Sequence, residues 1–361
     1  MVRPARPARA PDVRLAVVFF LAVAAAVTPA CRGGCAGRAP SPPEVGPAAL
    51  RVLPVEARLV ASVDLAKIRT TALWSRVAAL AADDPDDRRR IEALTARTGL
   101  DPLRQIHRIT AAFPDDARAS GQYLLIIDGE GFDERRLVAY ARDEAAQRAL
   151  TIEAVPRRGH TLWKSRGPEQ TAGFFLGTTR FVLGAGGWAE RACDLIDGVP
   201  GPDAAPGAPP LRSAADNAEL ARLSARIAGA SQRALWFAAI VPVDVRRLLM
   251  ADPRHDSAAS VTRLAAAADL GPRLDAELVA DLSNAQDARA LVERVQATVR
   301  EARRNAKLLM LGLGPYLDAL TARAEGPGVR VTLSLGEAQV KDLLDRLGGL
   351  ARFGRAAGAR P

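Results

Sequence analysis

Cysteine, histidine and aromatic residues are scarce in this chain of 361 residues. It has 3 Cys and 3 His, and Phe, Trp and Tyr together make up 4% of the sequence. So few cysteines exclude a disulfide-dense scaffold, and so few histidines argue against a histidine-rich metal enzyme. A single apolar run approaches the length of a membrane-crossing helix, which excludes a protein with several spans. The 48% of hydrophobic and 25% of charged residues exclude wholesale disorder.

Lysine is also scarce, because 46 of the 50 basic residues are arginine. The net charge is +9, yet the arginines alternate with acidic residues, as in DDPDDRRR and LVERVQATVREARR. This mixture is typical of solvated helix faces that carry ion pairs along the helix. A nucleic-acid-binding protein would instead gather basic and aromatic residues on one surface. We therefore expect no nucleic-acid partner.

The N-terminus has the parts of an export signal. Four arginines precede the 13-residue apolar run LAVVFFLAVAAAV, which ends at Val27. This run fits the hydrophobic region of a signal peptide and is shorter than the about 20 residues that cross a membrane. Ala30 is the small residue that signal peptidases require before the cleavage site. Residues 1–30 are therefore predicted to be a removable signal peptide.

Cys31 directly follows Ala30, and this junction resembles the lipobox of bacterial lipoproteins. In that family the cysteine becomes the lipid-modified N-terminus, so the resemblance implies lipidation at Cys31 and a membrane as partner. Thr28 and Pro29 depart from the usual lipobox, and simple cleavage after Ala30 or an uncleaved anchor are the alternatives. The Gly- and Pro-rich residues 31–50 are predicted to be a flexible tether between lipid and domain.

Two blocks of strand and helix patterns make up the rest of the chain. Residues 51–198 predict a first half and residues 214–348 a second, with the Pro/Gly/Ala-rich linker 199–213 between them. Residues 349–361 predict a frayed tail.

Helical patterns occur in both blocks. They predict helices over residues 72–81, residues 257–268 and residues 285–311, among others. At the start of the last of these, Ser283 and Gln286 form a capping-box pattern.

Three motifs recur in the same order in the two blocks, which predicts an internal duplication. VDLAKI and VDVRRL follow apolar strands, DERRLV and DARALV open helices, and RFVLGAGGWAERACDLI and RVTLSLGEAQVKDLL run from strand to helix. This organisation resembles a type of exported bacterial protein or lipoprotein built as two α+β halves. The resemblance implies an α+β fold of two related halves, each a mainly antiparallel sheet with helices on one face. It implies no activity and no active site.

Three motifs resemble ligand-binding sequences, but each has a simpler structural explanation. GAGGWA (184–189) matches a dinucleotide fingerprint, but no second parallel strand with an acidic residue follows, which favours a glycine turn. ADDPDD (82–87) and DGEGFDE (128–134) could offer oxygen ligands to calcium, but neither has EF-hand spacing. Helix starts explain both acidic motifs better.

The histidines and cysteines do not form a recognisable site in the sequence. His107, His160 and His255 are not spaced as metal ligands, and no histidine neighbours a cysteine. Cys193 lies on an apolar helix face, which favours a buried free thiol over a disulfide with Cys35. We therefore predict no catalytic residue, no bound cofactor and no metal site.

These patterns together predict a non-enzymatic envelope lipoprotein with a binding or assembly role. Another envelope protein is the candidate partner, and no small-molecule ligand is identified. A periplasmic carrier of an apolar ligand and an undetected hydrolase are the alternatives. Arg32 stands where an inner-membrane retention signal usually has Asp, which points to the outer membrane. A soluble periplasmic or secreted form is the alternative location.

Overall fold

The computed structural model describes only part of the chain. The described residues are 46–71, 74, 85–115, 121–167, 170–198, 211–227, 229, 232–250, 260–305, 312, 314–343, 345 and 346. The predicted signal peptide, Cys31, nearly all of the helix 72–81, most of the linker and the frayed tail lie outside them.

Within the described residues, twelve strands form one sheet. They are β1 Leu59–Asp64, β2 Ile106–Phe113, β3 Tyr123–Gly129, β4 Thr151–Arg157, β5 His160–Arg166, β6 Thr171–Leu176, β7 Arg180–Ala185, β8 Leu235–Ile240, β9 Val261–Leu270, β10 Leu274–Leu282, β11 Leu320–Glu325 and β12 Gly328–Leu335. Their order across the sheet is β11-β12-β10-β9-β8-β1-β2-β3-β7-β6-β5-β4.

The α-helices of the described residues lie between these strands in the chain, except for a helical stretch at 337–343 that follows β12. They are α1 Leu65–Arg69, α2 Pro85–Thr98, α3 Pro102–Gln105, α4 Glu134–Ala146, α5 Trp188–Asp197, α6 Ala218–Arg226, α7 Val243–Met250, α8 Ala285–Arg304 and α9 Gly314–Asp318. Each pair of neighbouring strands is antiparallel. The predicted α+β fold class with antiparallel pairing is confirmed.

The two predicted halves meet at the centre of the sheet, where β1 pairs with β8 and Val60 lies opposite Ala238. From this centre, β1, β2 and β3 run outward on one side and β8, β9 and β10 on the other. In each half a helix follows the third strand, and a later strand returns beside it: β7 beside β3, and β12 beside β10. This repeated order is compatible with the predicted duplication.

Helices pack on both faces of the sheet, where the sequence suggested one helical layer. On one face, Val60, Ala112 and Leu124 form a core with Trp188 of α5 and Leu220 of α6. We call this face the Trp188 face. Successive side chains of a strand point to opposite faces of the sheet. The strand residues next to Val60, Ala112 and Leu124 therefore face the other side.

The opposite face has two smaller cores. In the first half, Ile109 and Ile127 of the sheet pack with Leu65 of α1. In the second half, Val329 of β12 packs with Val292 of α8. We call this side of the sheet the Ile109 face. Helix α8 packs on it against the outer strands of the second half.

The alanine-rich residues 257–268 were predicted to be helical, but Val261–Leu270 forms strand β9. The strand lies between β8 and β10, and its Ala265 and Ala267 are buried there. These small side chains leave room for α6, which packs on β8 and β9. Pairing with two neighbouring strands therefore overrides the helix propensity of alanine.

The predicted cap of α8 is also wrong by one residue. Asn284, not Ser283, caps the helix, and its side-chain oxygen accepts a hydrogen bond from the Asp287 backbone N–H at 2.9 Å. In the first half, Asp133 caps α4 by accepting from the Arg136 backbone N–H at 3.1 Å. Asp133 is thus a cap while Asp287 lies in the first helical turn, so the two sequence motifs are not in structural register.

The folded region begins before residue 51, inside the predicted tether. Gly46–Val52 forms a 3₁₀ helix, and Leu50 and Leu53 are buried in the core of the Trp188 face. Residues 46–50 of the predicted tether therefore belong to the folded region.

A row of charged side chains crosses four central strands on the Trp188 face. Asp64, Arg108, Asp128 and Arg180 lie opposite one another on β1, β2, β3 and β7. Arg108 Nη2 donates to Asp64 Oδ2 at 2.6 Å, and Arg180 Nε donates to Asp128 Oδ1 at 2.6 Å. Three of the four residues are buried, with Arg180 half-buried. We call this set the ion row.

Candidate functional site

A groove of about 350 Å³ opens on the Trp188 face in the second half. Its lining includes Asp275 and Glu277 of β10, Arg323 of β11, and Thr332 and Ser334 of β12. Their side chains alternate with those that pack against α8 on the other face. We call this surface the polar groove.

The charges of the polar groove are paired with one another. Arg330 contacts Glu277, and its Nε donates to Glu325 Oε1 at 3.0 Å. Arg323 Nε lies 2.9 Å from the same Glu325 oxygen and keeps 71% of its side chain exposed. An open surface of paired charges and hydroxyls suits a hydrated polar partner better than an apolar ligand.

The polar groove lies where the first half has a helix. In the first half α5 follows β7 and packs on the Trp188 face. In the second half the chain after β12 is helical at 337–343, and Tyr316 of α9 donates its hydroxyl to Asp342 Oδ2 at 2.6 Å. Since α9 packs against α8, the hydrogen bond between Tyr316 and Asp342 holds the helix at 337–343 next to elements on the Ile109 face. Burial and the hydrogen bond to Asp342 raise the pKa of Tyr316.

A second cluster lies in the first half, where the β4–β5 hairpin meets the end of α5. His160 Nε2 lies 3.0 Å from Asp197 Oδ1, and Cys193 Sγ lies 3.9 Å from Asp197 Oδ2. The ligand atoms of all three residues lie within 4.8 Å of one another. We call this set the Cys193 cluster.

Ion pairs surround the Cys193 cluster. Arg157 donates from Nε and Nη2 to the two carboxylate oxygens of Asp194 at 2.9 and 2.8 Å, and both side chains are about one-tenth exposed. Lys164 Nζ lies 2.7 Å from Glu190 Oε1. These pairs connect β4 and β5 to α5.

The thiol of Cys193 is not an activated nucleophile. Burial, followed by the nearby charges of Asp197 and Asp194, raises its pKa to about 11. The thiol is therefore protonated at neutral pH, whereas a catalytic cysteine needs a thiolate stabilised by positive charge. The predicted buried free thiol is confirmed at this position.

The glycine motif 184–189 is a turn from strand to helix. Gly186 and Gly187 have φ values of +62° and +81°, and Gly187 is the N-cap of α5. A Cβ at Gly184 would lie 2.8 Å from the Ala189 backbone nitrogen, which explains the first glycine by packing. Strand β7 is antiparallel to both of its neighbours, unlike the parallel strands of a dinucleotide-binding unit.

The other sequence motifs have structural partners where they are described. In DGEGFDE, Asp128 belongs to the ion row and Asp133 caps α4. His107 Nε2 lies 3.9 Å from Glu130 Oε1. Cys31, Cys35, His255 and the first part of ADDPDD lie outside the described residues.

No protein-family model and no curated protein sequence matches this chain. Among solved structures, the chain is similar to one described as the structure of crystal form I of TP0453. The TM-score is 0.39 at 12% sequence identity, over 85% of this chain and 98% of that one. This likeness carries no information about function. Separately, no helix of the described residues has both the length and the apolar character needed to cross a membrane.

Proposed function

We propose that the protein is exported, anchored through a lipid on Cys31, and acts at the cell envelope as a non-enzymatic binding or assembly protein. The export signal and the cysteine after Ala30 support the location. The open polar groove is the observation that carries the binding role. Its partner in this proposal is another envelope protein with polar and charged groups on its docking surface.

The composition of the groove supports a protein partner. Arginine is enriched at protein interfaces, and Arg323 projects from the edge strand with most of its side chain exposed. The buried pair Arg330–Glu277 gives the groove a fixed floor, because both side chains are about four-fifths buried. A carrier of an apolar ligand would need an apolar cavity instead. A thiol hydrolase would need a lower pKa at Cys193 than the structure provides.

The anchor is tested by cell fractionation of a Cys31→Ser variant. We expect this variant to move from the membrane pellet to the soluble fraction and to lose fatty-acid labelling, because stable attachment needs the acyl chains of the processed cysteine. Cys35→Ser is the matched control and should keep both properties. Recovery of the wild-type protein in the soluble fraction with an unmodified N-terminus would contradict the anchor.

The docking surface is tested by crosslinking in intact envelopes. We expect Arg323→Glu to remove the crosslinked adducts that form through the polar groove, because it reverses an exposed charge at the rim. Arg166→Glu is the matched control, since Arg166 is also an exposed strand arginine paired with a glutamate, at 2.7 Å. Equal adduct yields from the two variants would show that the partner binds elsewhere.

A further inference from the structure

The Cys193 cluster unites three side chains from two elements. His160 opens β5 directly after the turn of the β4–β5 hairpin. Cys193 and Asp197 are four residues apart on α5, a spacing that places two side chains on one helix face. The hairpin turn lies against this helix face, so an imidazole, a thiol and a carboxylate converge.

The distances in the cluster fit a small cation. Four ligands that bind Zn²⁺ at about 2.0–2.3 Å lie about 3.3–3.8 Å from one another. His160 and Asp197 are already 3.0 Å apart, Cys193 and Asp197 are 3.9 Å apart, and all three atoms lie within 4.8 Å. Side-chain shifts of about an ångström would bring them to a common centre.

The types of donor atom indicate which metal fits the Cys193 cluster. Ca²⁺ and Mg²⁺ take oxygen ligands, whereas a site with one sulfur, one imidazole nitrogen and one carboxylate oxygen matches Zn²⁺. We propose that His160, Cys193 and Asp197 bind one Zn²⁺ ion, with a fourth position open to water. This proposal departs from the sequence prediction of no metal site, and it does not depend on the proposed docking role.

The surroundings of the cluster favour a cation. Glu190 lies one helical turn before Cys193, and its Oε2 atom is buried without a hydrogen-bond partner among the described residues. The nearby carboxylates oppose a lone thiolate and for the same reason attract a divalent ion. Arg157 is held by Asp194 in a bidentate pair, so its positive charge is already balanced. The ion can enter from solvent, because His160 and Asp197 keep about a fifth of their side chains exposed.

The ligands are held in place by their neighbours. The His160 ring packs against Phe174, with centroids 5.8 Å apart, and the Arg157–Asp194 pair fixes the hairpin on the helix beside it. Such supporting contacts orient ligands before the metal arrives. A bound ion would therefore link the outer hairpin of the sheet to α5 without a large rearrangement.

The experiment is a Co²⁺ titration of the full chain, purified in detergent and treated with a chelator. We expect one Co²⁺ to bind per chain, with intense visible bands of a tetrahedral site and a near-ultraviolet sulfur-to-cobalt charge-transfer band, and Zn²⁺ to displace it. Cys193→Ser should abolish the charge-transfer band. Cys193→Ser and His160→Ala should each weaken binding at least about 100-fold, as ligand loss costs no less than loss of a supporting contact.

The matched control is His107→Ala, which removes a histidine whose described ion-pair partner is Glu130 and which lies outside the Cys193 cluster. This variant should bind Co²⁺ as the wild type does. If Cys193→Ser does not fold, judged by circular dichroism, the partly exposed His160 carries the test alone. Weak binding by the wild type, or tight binding that survives both ligand variants, would overturn the proposal and leave the cluster as a hydrogen-bond network. Arg323→Glu should leave Co²⁺ binding unchanged, so failure of the docking role is separable from failure of the metal site.

Discussion

Replacing Arg108 with alanine is expected to lower the free energy of unfolding by about 3–5 kcal/mol, because removal of one partner leaves a buried charge without compensation. Arg108 donates to Asp64 at 2.6 Å, and the two side chains are 10% and 8% exposed. Asp128, opposite Arg108 on its other side, keeps its hydrogen bond from Arg180, so Asp64 is the carboxylate that would lose its guanidinium partner. Urea unfolding followed by circular dichroism measures the loss.

Two further variants separate charge burial from loss of contact. Arg247→Ala breaks an exposed pair with Asp244, whose side chains are 70% and 86% exposed, and should cost less than about 1 kcal/mol. The double variant Asp64→Asn, Arg108→Leu should recover part of the stability lost in Arg108→Ala, because no unpaired charge then remains at β1 and β2. If Arg108→Ala and Arg247→Ala had equal midpoints, the ion row would not be an energetic feature of the core.

Trp188→Ala is expected to cost about 3–5 kcal/mol, as large-to-small substitutions of buried aromatic residues do. Trp188 is fully buried at the start of α5, and its Nε1 donates to Gln122 Oε1 at 3.2 Å. It belongs to the core that joins both halves on the Trp188 face. The substitution therefore leaves a cavity and also removes the hydrogen bond to Gln122, and the urea midpoint reports both losses.

Trp163→Ala is the matched control for this cavity. Trp163 also donates its indole N–H, to Glu134 Oε1 at 2.8 Å, but it is only half-buried on β5. We expect a clearly smaller loss, because part of its surface already faces water. A loss as large as that of Trp188→Ala would mean that the burial of the ring does not determine the cost of these two substitutions.

The strands that alternate in hydrophobicity were predictable because their period is set by the pleat. This holds for β1 and β10, and the glycine turn before α5 was predictable for a similar local reason. Strand β9 was not predictable, since its alanines favour a helix and only the neighbours β8 and β10 make it a strand. The sequence also did not predict that the two halves join into one sheet, because the paired residues Val60 and Ala238 are far apart in the chain.

The candidate site shows the same division. The burial of Cys193 followed from the apolar face of its helix, and the spacing of Cys193 and Asp197 was a local signal for a shared face. The position of His160 beside Cys193 and Asp197 was not predictable, because strands β6 and β7 separate His160 from α5 in the chain. The polar groove was not predictable for another reason. Strands β10, β11 and β12 have ordinary alternation of polar and apolar residues, and only the position of the helix at 337–343 decides which face stays open.

The pairing of β1 with β8 joins distant parts of the chain, and we expect it to slow folding. A ladder between segments so distant in the chain pays a large loop-closure entropy before its contacts form, and folding slows as such contacts dominate. The first half cannot cover the free edge of β1 until β8 is present, because Val60 pairs with Ala238. In the export that we propose, slow closure of this central ladder would keep the chain unfolded for longer and so favour its passage across a membrane.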